Sequence, residues 1–376
     1  NEPSQSGDGK SLITSTDSFA LVHLRLLRFG RVLIMGLGLF YLPGCNIEYY
    51  THLALGQGRI LYNRRPIKDL LASPLLNEDH RKKFVLIRSI LNFAATLGLE
   101  TRDSYTSFYD TKGQPISWNV SASPPDHFAP FLWDFPIAGT VPYKGYFYKE
   151  KADTERDSLI AAGYDAIVRP VGAYSTLGYF SDPILSGMLD YSPGQLADLI
   201  IHELTHATAY SPGHTNFNES LATFIGRQGS LLFLKHHFGP DTPYLQEAIE
   251  QREDIQLFRE FMSQTVSSLD SLYNLDLPLE EVLRQRIGIF DRRKSDYTTI
   301  KNRFTRLNYD EFLNWEPNNA RLLSYRRYNS KQELFLAIHN IHQQDFTRSL
   351  SVFSTCAEQD DPWACLTAAT SPPKAY

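Results

Sequence analysis

Between Ser192 and Ala207, apolar side chains recur every three or four residues, at Leu196, Leu199, Ile200, Leu204 and Ala207, which predicts the buried face of a helix. Ser192 followed by Pro193 supplies an N-cap and a proline at the first helical position, where no intrahelical amide bond is lost. Ser211-Pro212-Gly213 ends that helix and a second opens at Thr215. Earlier in the chain, Asn77 stands as the cap of a helix carrying Phe84, Ile87, Leu91, Ala94 and Leu97, which Gly98 stops. Between these helical stretches the pattern shortens. Residues 137–141, 143–148, 166–171 and 174–180 read as strands separated by turn residues, and 152–162 as a helix closed by Gly163. Near the C-terminus, Ser330 and Glu333 have capping-box spacing ahead of Leu334, Phe335, Ile338 and Ile341. The chain after position 45 thus divides into a helical part (46–99), a small mixed sheet (100–190) and a mostly helical part (191–376), an α+β arrangement with no clean linker.

The helix at Ser192 carries His202-Glu203-Leu204-Thr205-His206. Two histidines at i and i+4 lie about 40° apart around a helix, so both imidazoles can reach one zinc ion while Glu203 points to water beside it. Glu219, on the following helix within Asn218-Glu219-Ser220-Leu221-Ala222, is the natural third ligand, since catalytic zinc commonly takes two histidines and a carboxylate. The plainer alternative is a helix with two solvated histidines, and Glu219 as a first-turn acid favoured by the helix dipole. Three coincident features weigh against it. Glu203 is then the general base, and a tyrosine hydroxyl is the expected aid to the oxyanion, with Tyr325, Tyr210 (one turn past His206) and Tyr174 as candidates among 21 tyrosines.

At these residues the chain resembles a bacterial zinc aminopeptidase family of gluzincin-like lipoproteins. The resemblance rests on Ala173-Tyr174-Ser175-Thr176-Leu177-Gly178-Tyr179-Phe180-Ser181-Asp182-Pro183, on the two zinc-helix segments, and on Arg64-Arg65-Pro66-Ile67, Trp118-Asn119-Val120, residues 141–147 and Asn318-Asn319-Ala320. It departs at His214, where an acid is expected. The resemblance implies a gluzincin-like fold with one zinc peptidase domain over residues 45–376, and removal of N-terminal residues from a peptide substrate. In peptidases of this type an edge strand pairs with extended substrate, which makes Tyr174, Ser175, Thr176, Leu177 and Gly178 candidate substrate contacts; an ordinary strand with a bulge at Gly178 is the alternative.

Composition adds three constraints. At 376 residues, 42% hydrophobic and a formal charge of −5, the chain can bury a substantial core and has no basic excess to attract a nucleic acid. Residues 1–44 read as a polar tail plus a removable signal peptide: Arg25, Arg28 and Arg31 precede an apolar run from Val32 to Leu42, too short for a standard membrane span. Leu42-Pro43-Gly44-Cys45 resembles a lipobox, which makes Cys45 the expected lipidation site of a periplasm-facing lipoprotein, with the outer membrane its destination. In such a compartment Cys356 and Cys365 are expected to form a disulfide rather than remain thiols. A function of a second class stays open: a membrane-tethered binding or scaffold lipoprotein that keeps the peptidase fold and zinc without turnover.

Overall fold

A computed structural model describes residues 47–135, 139–171, 181–327 and 331–370. Cys45, the candidate substrate strand at 174–178, and Ser330 lie outside the described residues. The chain divides at Gly56 into two compact units. Of the first, only residues 47–56 are described, the opening part of helix α1 (Ile47–Asn63).

Strand β1 (Arg65–Pro66) and helix α2 (Ile67–Ala72) lead to α3 (Glu78–Thr96), whose start is set locally: the Asn77 Oδ1 accepts from the backbone N–H groups of Asp79 (2.8 Å) and His80 (3.2 Å). The expected stop at Gly98 is there, with φ +89°. Strands β2 (Ser107–Tyr109), β3 (Ser117–Ser123), β4 (Trp133–Phe135), β5 (Gly139–Val141) and β6 (Lys144–Tyr146) precede α4 (Lys149–Ala161), β7 (Asp165–Val171) and β8 (Ile184–Leu185). Among the described residues the strands form three small sheets rather than one. They are a mixed β1-β2-β8, an antiparallel β6-β3-β7 and a β4-β5 ribbon. Pro124, Pro125 and Pro130 lie between β3 and β4, where missing N–H groups keep the ladder from continuing.

The rest is helical: α5 (Pro193–Thr208), α6 (Thr215–Phe238), α7 (Pro243–Tyr273), α8 (Leu279–Ile300), α9 (Asn319–Arg327), α10 (Gln332–Ile341), α11 (Phe346–Ala357) and α12 (Pro362–Ala369). The fold is α+β, with a mostly helical C-terminal part. Helix α10 begins one residue later than the capping-box spacing predicts. Lys331 occupies the cap in the left-handed region (φ 51°), which puts Glu333 at the second helical position, too early to close a box. A disulfide joins Cys356 at the end of α11 to Cys365 in α12, with the Cα atoms 5.4 Å apart.

Two apolar cores hold these elements. The larger gathers Phe84, Ile87 and Ile90 of α3, Leu196, Ile200, Ile201 and Leu204 of α5, and side chains of α6, α10 and α11. Each such side chain contributes about 1.5–3 kcal/mol by leaving water. The smaller is largely aromatic: Phe258, Phe261, Phe290, Tyr297 and Phe312 cluster, with Phe312 edge to face against Phe258 and Phe261, and Tyr309 stacks on Phe258 at 3.9 Å. A polar clamp ties the helices to β7. The buried Arg286 donates to both Asp165 carboxylate oxygens at 3.0 Å and to the carbonyls of Pro125 and Pro317 at 2.6 Å. Asn319 donates from its backbone to Asp165 (2.7 Å) and from its side chain to the carbonyl of Pro124 (2.9 Å), so this part of the Asn318-Asn319-Ala320 segment works as a brace.

The approach of α5 to α6 is the tightest packing among these helices. A Cβ at Gly226 would stand 2.5 Å from the Asp198 Oδ1 and 2.9 Å from the Asp198 carbonyl, and one at Gly229 would stand 3.0 Å from Ile201. Gly226→Ala should therefore cost about 1–3 kcal/mol through overpacking. Gly58→Ala in α1, where an added Cβ meets nothing within 4 Å, should be neutral or stabilise by about 0.5–1 kcal/mol. Urea unfolding of the two variants checks the contrast, and equal midpoints would contradict it.

Candidate metal centre

Ser192 starts α5 through a reciprocal box: its Oγ accepts from the Gln195 N–H (3.4 Å), and the Gln195 side chain accepts from the Ser192 N–H (3.1 Å). This start, with four turns buried on the α3 side, fixes the rotation of α5 and so the direction of His202 and His206. Their ring centroids are 4.9 Å apart with planes at 83°. Glu219, in the first turns of α6, places Oε2 3.5 Å from the His202 Nε2 and 3.8 Å from the His206 Nε2. Donor atoms of all three lie within 4.8 Å of one another, a set that could hold a metal ion.

Tetrahedral bonds of about 2.0–2.1 Å put donor atoms roughly 3.3–3.5 Å apart, so the two Glu219–histidine edges come within a few tenths of an ångström of what such an ion needs. The donors are two imidazoles and one carboxylate, the set expected of a catalytic zinc site. The two imidazoles differ in their electrostatics. Burial pushes the His206 pKa down to about 4, with the Glu219 charge opposing and His202 adding to the fall, so this imidazole is neutral at ordinary pH. Burial also acts to lower His202, but the hydrogen bond to Glu219 and the charges of Glu203, Glu219 and Asp198 outweigh it and raise its pKa. The His206 Nδ1 is buried without a hydrogen-bond partner.

The connection between the two helices is braced by Asn218, whose amide accepts from the Ser211 N–H and donates to the Ser211 carbonyl, both at 2.8 Å. His214 turns its Nδ1 to the Ser211 hydroxyl and the Pro212 carbonyl, each 3.1 Å away, and serves as the α6 cap residue by position only. From the other side, the Gln332 amide donates to the carbonyl of Ser220 at 2.8 Å and ties α10 to the ligand helix.

Of the candidate tyrosines, Tyr210 lies beyond the end of the histidine helix. Helix α5 ends at Thr208, and Ala209 is extended (φ −142°, ψ 109°), so the periodicity that would align Tyr210 with His206 stops first. Tyr325 packs in the aromatic core, 5.7 Å from Phe258 and 6.0 Å from Trp315. Its hydroxyl pKa is pushed up by burial, with Arg169 and Arg321 opposing. Tyr174 lies outside the described residues.

Two residues absent from the sequence reading adjoin the site. Tyr105 is fully buried at φ +60°, and its hydroxyl has no hydrogen-bond partner. Burial, then the charges of Glu203 and Asp182, push its pKa well above the usual tyrosine range, so it stays a donor beside the proposed base. Asp198, one turn before His202, has its carboxyl pKa raised by burial against the pull of Arg252, His202 and Arg227. Burial in turn lowers Arg252 to about 10. Nothing local marks Tyr105 in the sequence; Asp198 is marked by standing four residues before His202, on its face of the helix.

No curated protein and no solved structure matches the chain. Residues 48–361, a span that contains His202, Glu203, His206 and Glu219, match the family described as "Putative aminopeptidase", and the protein is a member of that peptidase family.

Proposed function

We propose that the protein is a zinc-dependent aminopeptidase in which His202, His206 and Glu219 hold the ion and Glu203 is the general base. The observation that carries this reading is the triangle of donor atoms, with Glu203 on the same turn of α5 as the two imidazoles. A zinc ion held there would polarise the scissile carbonyl and acidify water. Glu203 takes the proton of the attacking water and delivers it to the leaving amine, which is why a carboxylate is needed at that position. A tyrosine hydroxyl then donates to the substrate oxygen that gains charge. Tyr105 joins Tyr210, Tyr174 and Tyr325 as a candidate because its hydroxyl is unpaired and feels the Glu203 charge. Peptide backbone would pair with residues 174–178. Retention of Glu203 favours turnover over a scaffold role, since a metal-only scaffold has no need of a base. Lipidation at Cys45 would hold the enzyme at the bacterial outer membrane, facing the periplasm.

One zinc per chain is expected, lost in His202→Ala, His206→Ala and Glu219→Ala. Elemental analysis of purified protein decides it, and full occupancy in Glu219→Ala would remove that residue from the ligand set. At a hundredfold excess over its dissociation constant the ion should stabilise the wild type by about 2.7 kcal/mol.

Glu203→Gln should keep zinc and fold yet lose about 10²–10⁴-fold in kcat on aminoacyl fluorogenic substrates, since the amide cannot accept the proton. Replacing the oxyanion tyrosine by Phe should cost about 10²–10³-fold, so the variants at 105, 174, 210 and 325 identify it. Undiminished turnover in Glu203→Gln would refute the mechanism.

In a Gram-negative cell the chain should label with palmitate and sediment with membranes, and Cys45→Ser should do neither. Equal labelling of the two proteins would rule out Cys45 as the anchor.

A further inference from the structure

The two histidines of the metal centre are not equivalent behind their donor atoms. His202 turns its Nε2 to Glu219, which leaves Nδ1 on the opposite edge of the ring. Side chains on a helix lean toward its N-terminus, so His202 leans over the preceding turn, where Asp198 stands. His206 leans over His202 instead, and its Nδ1 is buried with no partner.

Packing against α6 confirms where Asp198 goes. A Cβ at Gly226 would be 2.5 Å from the Asp198 Oδ1 and 3.1 Å from the His202 Cβ. The carboxylate and the root of the histidine side chain therefore press on the same patch of α6 backbone, a patch that only glycine leaves open. The charges of two guanidinium groups reach the carboxylate, those of Arg227 beside Gly226 and of Arg252 from α7. Arg252 is itself fixed by donating to the carbonyl of Arg227 and to the Ser230 hydroxyl (2.9 Å). Asp198 thus has its position set by neighbours on two other helices.

We propose that Asp198 is a positioning residue of the metal centre, accepting the Nδ1–H of His202 and so fixing the ring with Nε2 toward the ion. The inference rests on the metal reading of His202, His206 and Glu219. Metal-binding histidines usually donate their second ring N–H to a carboxylate or carbonyl, and loss of that partner typically weakens metal binding about 10–100-fold. Arg252 has a different part: its charge acts on Asp198 while its own hydrogen bonds go to Arg227 and Ser230, so its removal leaves the carboxylate facing His202.

Chelator competition on the purified chain, with zinc as the probe, tests this without reference to turnover. Asp198→Asn should bind zinc about 10–100-fold more weakly than wild type, while Arg252→Met stays within about threefold. A merely structural Asp198 would lower the melting temperature of the metal-free protein but leave the affinity of the folded chain unchanged. Unchanged affinity in Asp198→Asn overturns the proposal, and so does an equal loss in Arg252→Met, which would mean general packing damage. Should Asp198→Asn fail to fold with its two arginines unpaired, the double variant with Arg252→Met removes one of those cations. It should still show the weakened binding, and wild-type affinity in it would overturn the proposal. A wild-type chain that binds no zinc would overturn the metal reading and this inference together; zinc binding that is indifferent to Asp198 would overturn only the inference.

Discussion

The site depends on how closely α5 and α6 come together. Glu219 can stand 3.5 Å from His202 and 3.8 Å from His206 only because the helix carrying it lies against the helix carrying them, nearly backbone to backbone, at Gly226 and Gly229. Side chains at those two positions would push α6 away and open the donor triangle. The glycines cost helix stability, roughly 0.5–1 kcal/mol each relative to alanine, and the approach they permit offsets it through the burial of Ile200, Ile201, Leu221 and Ile225.

Around this contact the chain arranges charge with care. Glu203, Glu219 and Asp198 all lie within electrostatic reach of His202, and burial alone would leave that histidine neutral. The balance between lost water and nearby carboxylates separates the two imidazoles, one raised and one lowered in pKa. A cation in the triangle would sit among carboxylates, while the charges of Arg252 and Arg227 act on Asp198.

Features that are local in the chain were legible in its sequence. Asn77 and Ser192 announce their helices because a cap acts over three residues, and the Gly98 stop needs only a positive φ. The meeting of His202, His206 and Glu219 was legible for the same reason, two residues one turn apart on a helix and a third just past the next turn. What stayed hidden depends on distant partners. Gly226 in mid-helix reads as a weak point until Asp198, 28 positions away, is seen against it. Tyr105 is tied to Asp182 by a backbone bond of 2.6 Å that no short window contains. The helical register expected of Tyr210 fails because periodicity was extended past Ala209, where the backbone has already left the helix. The division of the strands into three sheets follows from pairing between segments far apart, such as β2 with β8.

Helix α6 leans on the far end of the chain. Phe217, two residues before Glu219, packs on Phe335 (5.9 Å) and on Trp363 (5.3 Å), and the C-terminal hairpin bearing Trp363 is cross-linked by Cys356–Cys365. At about 5–20 residues per second, the ribosome would deliver Trp363 several seconds after Glu219. The nascent chain therefore holds His202, His206 and Glu219 well before it holds the aromatic wall that packs behind the last of them.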